Sequence, residues 1–140
     1  MSSTTDTACS LTGNSLVGNS LTAKKCVPCE GGVPLLTQEE IAAGLALTPS
    51  WELVPTGLQI RRTWRAKNFV DAVQQLQQIT TLAEEEGHHP DFHLTNYRDV
   101  AIEIWTHAIG GLSENDFILA AKIDRMLARD FPKLSAAQPR

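Results

Sequence analysis

The stretch "EEEGHHPDFHLTNYRDVAIEIWTH", Glu84 to His107, decides the fold, because within it one kind of periodicity stops and another begins. Upstream, Phe69, Val73, Leu76, Ile79 and Ala83 recur at spacings of three and four, the period of one helical face. Asn68 and Asp71 stand as N-cap and N3 partner, and Gly87 ends the helix. After Pro90 the period becomes two: Phe92 and Leu94 alternate before "TNYRD", and Val100, Ile102 and Ile104 alternate after it. A helix followed by a hairpin is therefore expected.

Working outward, the same pair of elements is expected once more on the N-terminal side. Thr37 and Glu40 read as a capping box opening a helix over residues 38–47, with Ile41 and Leu45 on its apolar face. In "SWELVPTGLQIRRTW" two β-prone runs flank Pro55-Thr56-Gly57, a hairpin turn. On the C-terminal side Ser113 and Asp116 form another capping-box pattern, and Leu119, Ala120, Ile123 and Leu127 supply an apolar stripe. The expected class is α+β in the order αββαββα, a four-stranded antiparallel sheet with helices packed on one face. Residues 1–32, polar and containing "GNSLVGNSL" and "CVPC", are expected to be a flexible tail; residues 33–130 the folded domain; residues 131–140 a frayed end.

A chain of 140 residues suits one core. A net charge of -4 with scattered Lys and Arg argues against nucleic acid as a partner. No run approaches the roughly 18 apolar residues of a membrane span, and the N-terminus has neither a secretory pattern nor, with no Arg before residue 61, a mitochondrial one. The expected location is the cytoplasm. Three cysteines, Cys9, Cys26 and Cys29, all precede the domain and suit reduced thiols.

Four histidines, His88, His89, His93 and His107, pose the functional question. Zinc is not expected, since adjacent His88 and His89 on extended chain point to opposite faces and "CVPC" lacks a second half-site. Proton transfer suits imidazole, whose unperturbed pKa of about 6.5 leaves both forms available near neutrality. The second hairpin brings residues 88 or 89 and residue 107 to the end away from its tight turn. Each residue also has a plainer role: Glu84 as a solvated helix-end acid, Asp116 as a cap, His93 as a surface strand residue, Tyr97 and Trp105 as packing groups.

Glu84, His88-His89-Pro90, Tyr97, His107 and Asp116, together with "THAIGGLSENDF", resemble the signature of the pterin-4a-carbinolamine dehydratases over residues 35–128. The resemblance implies dehydration of a 4a-hydroxytetrahydropterin to a quinonoid dihydropterin, without metal or organic cofactor. It implies three catalytic histidines, His88 and His107 as acid and base and His89 helping to hold and polarise the pterin, with Glu84 and Asp116 orienting or tuning the imidazoles. Homodimers or homotetramers are implied as well. Phe92 stands where many members carry Trp. Members of the superfamily are also associated with Rubisco assembly in carboxysome-bearing bacteria and plastids. A non-catalytic assembly chaperone, with the Rubisco large subunit as partner and a carboxysome-associated location, is thus the alternative.

Overall fold

The computed structural model describes residues 20–26, 33–132 and 134. Its elements are α1 (Ser20–Ala23), α2 (Gln38–Leu47), β1 (Glu52–Leu53), β2 (Ile60–Arg65), α3 (Phe69–Glu86), β3 (Asp91–Thr95), β4 (Asp99–Ile104), a 3-10 turn (His107–Ile109) and α4 (Glu114–Asp130). The four strands form one antiparallel sheet in the order β1-β2-β4-β3, with β2 and β4 in the middle. From α2 onward this is the expected αββαββα order, with the helices on one face of the sheet.

Side chains alternate across the strands as the pleat requires. Ile60, Trp64, Val100, Ile102 and Ile104 are buried toward the helices and meet Ile79, Phe117, Leu119 and Ile123. The opposite face carries Arg61 paired with Glu103 and Arg65 paired with Asp99. Burying this apolar set contributes at roughly 25 cal/mol per Å2 and fixes the strand register, because a slip of one residue would exchange the two faces.

The helix starts follow the caps. Thr37 and Glu40 exchange side-chain and backbone hydrogen bonds at 3.1 and 2.9 Å, and the Asn68 side chain accepts the Asp71 N–H at 2.8 Å. Helix α2 packs through Gly44, where a Cβ would come within 2.7 Å of the Phe117 ring. In α3 the buried face is Ala72, Gln75, Ile79 and Ala83, rotated from the expected stripe, and Phe69 is exposed. Gln75 displaces an apolar residue there because its Oε1 accepts the buried Trp64 Nε1–H at 2.7 Å.

Two expectations are corrected. Residues 21–26 are not part of a free polar tail: Leu21 and Cys26 are buried in the core cluster, and α1 lies against α4. Burial of these two side chains, with the segment's hydrogen bonds to Glu86 and Glu114, offsets freedom that the segment loses. Likewise, the frayed end assigned to residues 131–140 fails at Phe131 and Leu134, which pack against the core. Residues 1–19, 27–32, 133 and 135–140, and with them Cys9, Cys29 and most of the near-repeat, lie outside the described residues. Among the described residues no helix is long and apolar enough to cross a membrane.

Candidate functional site

The end of α3 delivers the first histidine. Gly87 adopts the left-handed conformation at φ 66°, its N–H reaches back to Glu84 O at 3.3 Å, and the His88 N–H closes on Ala83 O at 3.2 Å. This pattern satisfies the last helical carbonyls and turns the chain sharply at His88. A residue with a Cβ resists the left-handed region, so glycine is what the turn requires.

His88 is buried, and its Nε2 lies 2.6 Å from Oδ1 of Asp116, which is fully buried in the first turn of α4. A carboxylate only accepts, so the neutral ring carries its hydrogen on Nε2 and its lone pair on Nδ1. The other carboxylate oxygen, Oδ2, accepts the Thr106 hydroxyl at 2.9 Å and the Ser113 N–H at 2.8 Å. With its hydrogen committed to Asp116, the Thr106 oxygen takes the Ser113 hydroxyl hydrogen at 2.8 Å. Asp116 is therefore both the cap of α4 and the anchor of an imidazole.

His89 faces away. Its Nε2 lies 2.7 Å from Oε2 of Glu84, and both side chains are well exposed. The separation of neighbouring rings onto different carboxylates is what extended chain imposes after the helix ends.

His107 comes from the far end of the hairpin. Residues 91 and 103 are paired, and beyond them Thr106 shares Asp116 with His88. His107 follows Thr106 directly in the chain. Its exposed ring lies 4.2 Å from the Trp105 ring at a tilt of 47°, and the Trp105 Nε1–H points to Asp91 Oδ2 at 3.3 Å. No carboxylate is paired with the His107 ring among the described residues. Thus Asp116 joins His88 to the 106–107 end of β4, Glu84 joins His89 alone, and the two groups are not bonded to each other.

His93, half exposed, lies on β3 with its Nε2 3.3 Å from Glu103. Tyr97 sits at the exposed hairpin turn rather than in packing, with φ 56° after Asn96 at φ 50°. Among the described residues no group of three or more His, Cys, Asp and Glu side chains is gathered as metal ligands would be. Sequence reasoning did not single out Thr106. Its hydroxyl reaches Asp116 only because the 3-10 turn and Gly110, at φ 67°, double the chain back so that Thr106 pairs with Gly111. That closure is a tertiary event with no periodic signal.

A small α+β domain carrying a buried histidine–carboxylate site at one end of its sheet is the class that these features define. Within it, the chain belongs to the pterin 4 alpha carbinolamine dehydratase family, whose model matches residues 34–126. It is 45% identical over 113 residues to pterin-4-alpha-carbinolamine dehydratase 2, mitochondrial, of Arabidopsis thaliana, covering 79% of this chain and 60% of that protein. It is 46% identical over 109 residues to a Methylococcus capsulatus protein provisionally named a pterin-4-alpha-carbinolamine dehydratase, covering 78% of this chain and 95% of that one. A crystal structure of a transcriptional coactivator/pterin dehydratase from Brucella melitensis is similar in fold, with a TM-score of 0.62 at 28% identity over 66% of this chain and 98% of the other.

Proposed function

We propose that the protein dehydrates a 4a-hydroxytetrahydropterin, with His88 and His107 exchanging the protons. The observation that carries the reading is the 2.6 Å bond from His88 to the buried Asp116, which fixes the ring's tautomer and orientation. In the reaction the C4a–O bond breaks, and the departing oxygen takes a proton to leave as water. The N5 proton is lost, and its electron pair forms the N5–C4a double bond of the quinonoid dihydropterin.

His88, with its Nε2–H held by Asp116, offers Nδ1 as the base for the N5 proton, and the imidazolium formed is stabilised by the buried carboxylate. His107, whose ring has no carboxylate partner among the described residues, is the acid for the leaving hydroxyl. His89 and Glu84, exposed beside them, hold the pterin ring. Pterin-dehydratase relatives at 45 and 46% identity support this reading.

The finer parts of the proposal are a cytoplasmic location, in keeping with bacterial relatives, and assembly as a homodimer or homotetramer, in keeping with the edge position of β3 and the exposure of Phe92 on it. Purified protein is expected to accelerate the dehydration, followed as the loss of the 4a-hydroxytetrahydropterin absorbance. A rate equal to the spontaneous one would overturn the reading and turn attention to a Rubisco-assembly role, tested by the yield of soluble Rubisco on co-expression.

A further inference from the structure

The segment from Leu21 to Cys26 touches two places, and they are the two places that the His88–Asp116 bond joins. On one side the Lys24 Nζ donates to Glu114 Oε2 at 2.6 Å, and the Cys26 Sγ lies 3.5 Å from Asn115 O. Glu114 and Asn115 are the first two residues of α4, and Asp116 is the third. On the other side the Cys26 N–H donates to Glu86 Oε1 at 2.9 Å and the Lys25 Nζ to Glu85 O at 2.6 Å. Glu85 and Glu86 are the last residues of α3, three and two positions before His88. Leu21, 1% exposed, anchors the segment beneath these polar ties.

The chemistry of Glu114 is the unusual part. Its carboxylate is fully buried, one oxygen faces Lys24, and the other has no hydrogen-bond partner among the described residues. A buried ion pair is a poor way to add stability, because desolvation offsets most of the attraction, but it fixes the relative position of the groups that carry it. At the first turn of a helix the negative charge also sits where the backbone dipole favours it. Lys122 adds a second tie, 2.7 Å from Glu86 Oε2, between the same two helices.

We propose that Lys24 and Glu114 are positioning residues for the proposed reaction, and that the segment Leu21–Cys26 is a brace holding the end of α3 and the start of α4 at the separation which lets Asp116 grip His88. The proposal rests on the assignment of His88 to proton transfer, so its first readout is independent of turnover.

The test compares full-length wild type with Lys24→Met, Lys24→Arg and Glu114→Gln. Glu114→Gln keeps the shape of the side chain and leaves unpaired only the Lys24 ammonium, which is partly exposed, so it stays informative should Lys24→Met fold poorly. By NMR of the histidine ring nitrogens, the His88 Nε2–H is expected to exchange with solvent roughly tenfold faster in Lys24→Met and Glu114→Gln, as local opening of the α3–α4 contact permits, and near the wild-type rate in Lys24→Arg. In the dehydration assay kcat is expected to fall about fivefold while KM stays within about twofold, because the base is displaced and the exposed substrate contacts are not. Unchanged His88 exchange in a folded Glu114→Gln protein would overturn the brace. Faster exchange in a protein whose wild type shows no turnover would keep the brace and overturn only the dehydratase reading.

Discussion

Two histidine–carboxylate pairs stand side by side in this molecule, with nearly equal bonds of 2.6 Å for His88–Asp116 and 2.7 Å for His89–Glu84. Their side-chain exposures differ widely: 8% and 0% in the first pair, 63% and 70% in the second. Distance alone therefore does not tell what a pair does. In the buried pair each partner lacks water as a substitute, so the bond dictates the ring's orientation. In the exposed pair water competes for both groups, and the ring and carboxylate can rearrange around a ligand.

The contrast predicts a graded set of responses. Asp116→Ala leaves the His88 Nε2–H, the Thr106 hydroxyl and the Ser113 N–H without their acceptor in a buried place. It is expected to cost about 3 kcal/mol or more in denaturant unfolding. In the dehydration assay kcat is expected to fall about 100-fold, because His88 loses the carboxylate that fixes its tautomer and stabilises its imidazolium. A thermally stable Asp116→Ala protein with full activity would break the comparison.

Next in size, Thr106→Val keeps the shape of the side chain but removes one donor to Asp116 and the acceptor of Ser113. About 1–2 kcal/mol of stability is expected to be lost. A crystal structure of the variant should show the Asp116 carboxylate rotated or hydrated, with His88 still nearby.

Glu86 sharpens the comparison from the same helix end, since it lies two residues from Glu84 yet is nearly buried. Burial opposes its ionisation, but hydrogen bonds from Lys122 and the Cys26 N–H, with the charges of Lys122 and Lys25, outweigh it and hold the carboxyl below the usual glutamate value. A carboxyl held low contributes stability that is complete above its unfolded-state value and disappears as pH falls through the lower folded-state one. The stability gap between wild type and Glu86→Gln, followed by urea unfolding, should thus be widest near neutrality and close below about pH 4.5. A gap that widened with acid would contradict the assignment.

The smallest effect belongs to the exposed pair. Glu84→Ala is expected to change stability by less than about 0.5 kcal/mol, with the change in the assay appearing in KM.

Much of this was legible in the residues. The caps at Thr37, Asn68 and Ser113 and the change from a period near 3.6 to a period of two around Gly87 and Pro90 are local signals, so the helices and hairpins lie where they were expected. Of the signature residues, His88 and Asp116 are brought together by the fold, and His107 follows Thr106, which bonds the same carboxylate; the capping role of Asp116 was open from its place after Ser113.

What did not show were groups whose partners are remote. Lys24 meets Glu114 across 90 positions, and Leu21 and Cys26 sit in a Ser- and Thr-rich segment without periodicity. Thr106 and Gln75 are polar residues whose burial depends on partners brought close by the tertiary fold, Asp116 and Ser113 for the first and Trp64 for the second.

The central claim is that the buried pair performs chemistry and the exposed pair holds the substrate. Steady-state dehydration kinetics of His88→Ala and His89→Ala, measured side by side, test it most directly. His88→Ala is expected to lower kcat about 100-fold with KM nearly unchanged, and His89→Ala to raise KM several-fold with a smaller loss in kcat. The reverse order, with His89→Ala abolishing kcat and His88→Ala active, would contradict the account.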